Sequence, residues 1–241
     1  MKNLCDYPIE QAKKILLETQ KVICAVSGAE PIQNLPLNIN EFITQKIAKK
    51  VCENTKYYQT TPILQGIITP FKPLPSTGVH KNRFCALISD CACSLSAAGA
   101  KKIFFLTSSD LFSALIIKGI KNYESKLPND FSYKIICWQE LKIVKKTVES
   151  QFEDLCEYWR KESAVFMLAK ELKEIEVPNA SPKLHFSKED FLKWKKRGMD
   201  PEKLRKLSPN FQFSHWTKFT PLNYSFFDKI CDEICDELSE L

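Results

Sequence analysis

The spacing of apolar residues changes along the chain, and each change marks an element. Pro8 to Thr19 carries the pattern of an amphipathic helix. Lys21 to Val26 is a short apolar run, a buried strand that ends at Ser27-Gly28. Asn40 is placed to cap a helix whose Phe42, Ile43, Ile47 and Val51 face inward. Thr61 to Thr69 reads as a second strand stopped by Pro70, and residues 70 to 82, rich in Pro and turn formers, as a long loop.

The clearest helix follows, with Phe84, Leu87, Ile88, Cys91 and Leu95 on one stripe and Gly99 just past its end. On that stripe Cys91 is a packing residue. Lys102 to Leu106 is a strand, Thr107-Ser108-Ser109-Asp110 a turn and cap, and Leu111 to Tyr123 a helix. Tyr133 to Trp138 is another strand, and a long helical stretch runs from about Thr147 to Lys173. Beyond Val177 the character changes. Pro178 and Pro182 interrupt the chain, short helices are expected at 188–197 and 201–206, and a last helix spans Ser225 to Leu238 with Phe227, Ile230, Ile234 and Leu238 inward.

Strands alternating with helices predict an α/β fold, a mostly parallel central sheet flanked by helices. At 241 residues the length allows one large domain or two. The expectation is one domain over 1–241, with an α/β core in 1–177 and an irregular helical extension, 178–241, packed on it.

Composition narrows the function classes. With 44% apolar residues the chain can build a sizeable core. No apolar run approaches the ~18 residues of a membrane span, and the start lacks the apolar stretch of a secretory signal. No membrane association and a cytoplasmic location are expected. The ten cysteines fall largely inside apolar runs, as in Val22-Ile23-Cys24-Ala25 and Ile135-Ile136-Cys137-Trp138, so they read as core thiols rather than a disulfide scaffold. Cys231 and Cys235, one helical turn apart, fall short of a structural zinc set and also read as packing. The net charge of +6 is mild. Its strongest basic run, Lys193-Trp194-Lys195-Lys196-Arg197, fits a solvated helix face better than a nucleic-acid surface, and no nucleic-acid partner is expected.

Three blocks resemble the creatininase (creatinine amidohydrolase) family. The family's metal-binding loop runs Val-Gly-Ser-x-Glu-Gln-His-Gly-Pro-His-Leu-Pro-Leu-x-Thr-Asp. Here Val26-Ser27-Gly28-Ala29-Glu30-Pro31-Ile32-Gln33-Asn34-Leu35-Pro36-Leu37-Asn38-Ile39-Asn40 keeps the Leu-Pro-Leu core and the Glu. A family His falls on Asn34 and the final Asp on Asn40, and Pro31 or Ile32 stands near the other His. The second block, Gly-x-Ser-x-Glu-His-x-x-Phe-Pro-Gly-Thr, is matched by Gly66, Pro75 and Thr77, but its Ser, Glu and His become Ile68, Pro70 and Phe71. In the third, a strand followed by Asn-Gly-His-Gly-Gly-Asn, the strand is Ile103-Phe104-Phe105-Leu106 and the His becomes Ser109. A late echo stands at Glu162-Ser163 and Met167-Leu168-Ala169, and the match covers roughly residues 5 to 175.

The resemblance implies the creatininase fold, with a two-metal hydrolytic centre where the ligands are kept. Two divalent ions require several anionic or imidazole ligands converging on one point. The matching positions here offer Glu30, then Asn34, Asn40, Ser109 and Asp110; neither His80, His185 nor His215 falls on a ligand position. No metal or other cofactor is expected, Glu30 and Asn40 being the weak metal candidates. Glu30, Asn34, Asn40, Thr107, Ser108, Ser109 and Asp110 remain as a ligand cleft at the carboxyl ends of parallel strands, where α/β sheets bind small molecules. For Ser108, Ser109 and Asp110 the plainer role is N-capping.

The expected function is a degenerate, non-catalytic creatininase-family protein: a structural or regulatory subunit, or a small-ligand binder. The alternative is a divergent metal-dependent amidohydrolase acting on a cyclic amide or formamide. Family members assemble into oligomers, so a homo-oligomer, or a hetero-oligomer with a creatininase-family paralogue, is expected. Phe186, Phe191, Trp194, Phe211, Phe213, Trp216 and Phe219 supply candidate contact residues within 178–224.

Overall fold

In the computed structural model, which describes residues 2–28, 38–67, 78–151, 157–172 and 222–239, a parallel sheet separates two layers of helices. In chain order the elements are α1 (Ile9–Thr19), β1 (Lys21–Ser27), α2 (Ile39–Asn54), β2 (Tyr58–Gln59), β3 (Ile63–Leu64), β4 (Gly66–Ile67) and β5 (Gly78–Val79). They continue with α3 (Lys81–Ala97), β6 (Lys102–Thr107), α4 (Asp110–Lys121), β7 (Ser132–Cys137), α5 (Lys142–Gln151), α6 (Glu157–Leu172) and α7 (Phe226–Ser239). The main sheet has the order β2-β1-β6-β7, with β3 also on β1, and every pairing is parallel.

The apolar runs explain this architecture. Successive strand residues point to opposite faces, so a strand covered on both faces must be apolar throughout. Ile23, Ala25, Phe104, Leu106 and Ile136 face a core shared with α2, α5, α6 and α7. Val22, Cys24, Val26, Ile103 and Phe105 face the other core, filled by Leu16 of α1 and by α3 and α4. None of the helices in the described residues is long and apolar enough to cross a membrane.

Several expected boundaries move. The strand placed at 61–69 is divided, because Pro62 has no N–H to give to a ladder. Tyr58–Gln59 and Ile63–Leu64 pair with successive parts of β1, Thr60 N–H donates to the Ile23 carbonyl at 3.0 Å between them, and Gly66–Ile67 turns away to pair with β5. Asn40 does not cap α2: the N-cap position is Asn38, and Asn40 lies buried in the first turn because Ile39 is already part of the core.

On α3 the buried stripe is Phe84, Cys85, Ile88, Ser89 and Ala92, leaving Leu87 40% exposed. The stretch expected from 147 to 173 is two helices, and the first starts earlier, at Lys142. There the Lys142 and Ile143 N–H groups donate to the Glu233 carboxylate of α7 at 2.9 and 2.8 Å, a cap that comes from 90 residues away in the chain. Glu171 of α6 in turn accepts from the Phe227 N–H at 3.1 Å and from the Ser225 hydroxyl at 2.7 Å. In α7, Phe226 is buried and Phe227 only partly, and Cys231 is core as its spacing implied. The expected helices at 188–197 and 201–206, the basic run and the aromatic series from Phe186 to Phe219 lie outside the described residues.

Helices α3 and α4 touch closely at Gly119. A Cβ there would stand 2.7 Å from the Cys85 carbonyl oxygen and 3.1 Å from Ile88 Cβ, and Ser89 Oγ donates to the Gly119 carbonyl at 2.7 Å. Gly119→Ala is expected to destabilise the protein by about 1–3 kcal/mol, read as a lower urea midpoint with an unchanged m-value.

Candidate functional site

The chain order of the strands sets the position of the site. From β1 the chain passes through α2 to β2 and β3 on one side, then through α3 to β6 on the other. This reversal makes the carboxyl ends of β1 and β6 the switch point of the sheet, where connecting loops diverge and ligands are received.

Two hydroxyls meet there. Ser27 ends β1, Ser108 follows β6, both are fully buried, and their Oγ atoms are 2.9 Å apart. Gly28 continues from Ser27 beneath a crossing backbone, since a Cβ on it would stand 2.5 Å from the Gln65 carbonyl oxygen. Thr107 is buried, and its hydroxyl accepts weakly from the Ser109 N–H at 3.5 Å. Ser109 holds the N-cap position of α4, yet its side chain makes no cap hydrogen bond; the Oγ is buried without a partner. The capping expected of Ser108, Ser109 or Asp110 is therefore absent: Ser108 is turned to Ser27 and Asp110 to a lysine.

That lysine is Lys161 of α6. Its ammonium forms an ion pair with Asp110 Oδ2 at 2.5 Å and a second one with Glu140 Oε1. Glu140, in the turn after β7, also pairs with Lys145 through Oε2 at 2.7 Å. Burial opposes the charge on Lys161, but its hydrogen bonds and proximity to Asp110 and Glu140 prevail and hold its pKa above the usual lysine value. For Glu140, burial likewise opposes ionisation, but Lys145 and Lys161 hold its pKa below the usual glutamate value. Cys137, at the end of β7, is pushed up to about 12 by burial and then by the Asp110 charge, so at neutral pH it is a thiol and a poor nucleophile.

A third group ties α2 to the same end. Trp138, fully buried after β7, donates Nε1–H to Thr44 Oγ1 at 3.1 Å, and Thr44 donates to the Asn40 carbonyl at 2.7 Å. Thus the structure brings Asn40, Thr107, Ser108, Ser109 and Asp110 to one end of the sheet. Glu30 and Asn34 lie outside the described residues. His80, the histidine among the described residues, sits exposed before α3, where its Nδ1 accepts from the Asn82 N–H at 3.4 Å. Ser27, Thr44, Trp138, Glu140 and Lys161 escape sequence reasoning. Ser27-Gly28 at a strand end is the one local signal among them; Thr44 meets Trp138 across 94 residues, and Lys161 meets Asp110 across 51 and Glu140 across 21.

No family model and no curated protein matches the sequence. Solved structures do. A creatininase recorded with manganese aligns with 99% of this chain and 98% of its own at 14% identity and a TM-score of 0.70. A creatinine amidohydrolase (creatininase) aligns with 99% of this chain and 97% of its own at 13% identity and a TM-score of 0.71. The chain has the creatininase fold. A more distant match is a proposed creatinine amidohydrolase from Bacteroides fragilis, at 15% identity, a TM-score of 0.61, and 99% and 93% coverage.

The creatininase resemblance implies a metal pair, and the described residues do not fit one. Among them no three His, Cys, Asp or Glu side chains gather into a group able to hold a metal ion. At the switch point the donors are neutral hydroxyls already bonded to each other, and the nearby carboxylates are already paired with ammonium groups.

Two outcomes are expected. Thr44→Val leaves the buried Trp138 N–H without its acceptor and costs about 1–3 kcal/mol, whereas Thr44→Ser retains stability; chemical denaturation separates them. For Glu140, the depressed pKa means that its stabilising effect is present above the unfolded-state value and is lost as pH falls through the folded-state value. The raised pKa of Lys161 means that its effect is present below the unfolded-state value and is lost as pH rises through the folded-state value. The stability gap between wild type and Glu140→Gln is therefore expected to hold from about pH 6 to 9 and to shrink below about pH 4, in melts across that range.

Proposed function

We propose that this chain is a non-catalytic creatininase-fold protein that serves as a structural or regulatory subunit. The observation that carries the proposal is the Ser27–Ser108 hydroxyl pair at the switch point, where neutral groups satisfy each other. A serine nucleophile needs an adjacent base. Ser108 has another hydroxyl as its partner, and His80 is engaged at the start of α3. Ser109 stands where the resemblance places a metal-binding His, and its alcohol is a poor ligand beside an imidazole or carboxylate.

The buried, unpartnered Ser109 Oγ favours a second reading, a small-ligand binder whose ligand is a compact, neutral hydrogen-bonding molecule. Oligomer formation belongs to the proposal, with part of residues 178–224 as the contact. A cytoplasmic location is supported by the nine free cysteines among the described residues.

Hydrolysis of creatinine and of simple formamides, with and without added Mn²⁺ or Zn²⁺, tests the proposal. Background rates are expected, together with no stoichiometric transition metal after dialysis. Robust turnover abolished by Glu30→Ala would replace the proposal with a divergent metal-dependent amidohydrolase. Light scattering on the pure chain, alone and mixed with a creatininase-family paralogue, tests the assembly. A strict monomer that binds no such partner contradicts it, and a melting temperature raised by one small neutral compound selects the ligand-binding reading.

A further inference from the structure

We draw no further inference here: the strongest candidate, the outer edge of β7, a strand that pairs with β6 alone among the described residues, carries nothing because nothing in the structure shows what covers it.

Discussion

The pairing of β1 with β6 is the constraint on which the rest depends. Six consecutive residues of each strand are in parallel register, from Lys21 beside Lys102 to Val26 beside Thr107. Parallel neighbours have both faces covered, so the two strands must be apolar and helices must lie on each side. The sheet grows outwards from this pair in both directions, and the reversal of direction places Ser27 and Ser108 together. An insertion or a register shift in either strand would separate the hydroxyls and turn one core face towards the other.

Around that centre the strand ends are stitched by side chains. Hydroxyl meets hydroxyl at Ser27 and Ser108, indole meets hydroxyl at Trp138 and Thr44, and carboxylates meet ammonium groups at Asp110, Glu140, Lys145 and Lys161. Each buried polar group satisfied in this way avoids a desolvation cost of about 1–3 kcal/mol. A catalytic cleft leaves such groups aimed at substrate or metal. Here most are aimed at one another, while Ser109 Oγ is buried without a hydrogen-bond partner. The same economy holds in the last layer, where Glu171 and Glu233 serve as helix caps between α5, α6 and α7.

The sheet was legible because its information is local. Val22 to Val26 and Ile103 to Leu106 are apolar runs of strand length, and Gly99 marks a helix end through its φ of 110°. Helix starts were less legible where the cap is remote. Nothing around Lys142 announces that Glu233 will cap it, so α5 begins before the predicted boundary. Asn40 looked like a cap from composition, but the burial of Ile39 draws the helix start back past it. At the candidate site, the residues beyond β6 were visible as a turn of small polar side chains after a strand. Lys161 was not, because a lysine near the start of a helix carries no sequence mark of the two carboxylates it will meet, one of them 51 residues earlier.

The creatininase fold is thus retained while the strand ends hold their own side chains in balance. The most direct measurement of this claim is anomalous X-ray diffraction at the manganese and zinc absorption edges, on crystals of the wild-type chain grown in excess of each ion. The account predicts no anomalous peak at the carboxyl ends of β1, β6 and β7, with density for the Lys161 side chain running between Asp110 and Glu140. A strong peak at that end of the sheet, bound by Glu30, Asn40 or the Asp110–Glu140 pair, would contradict it.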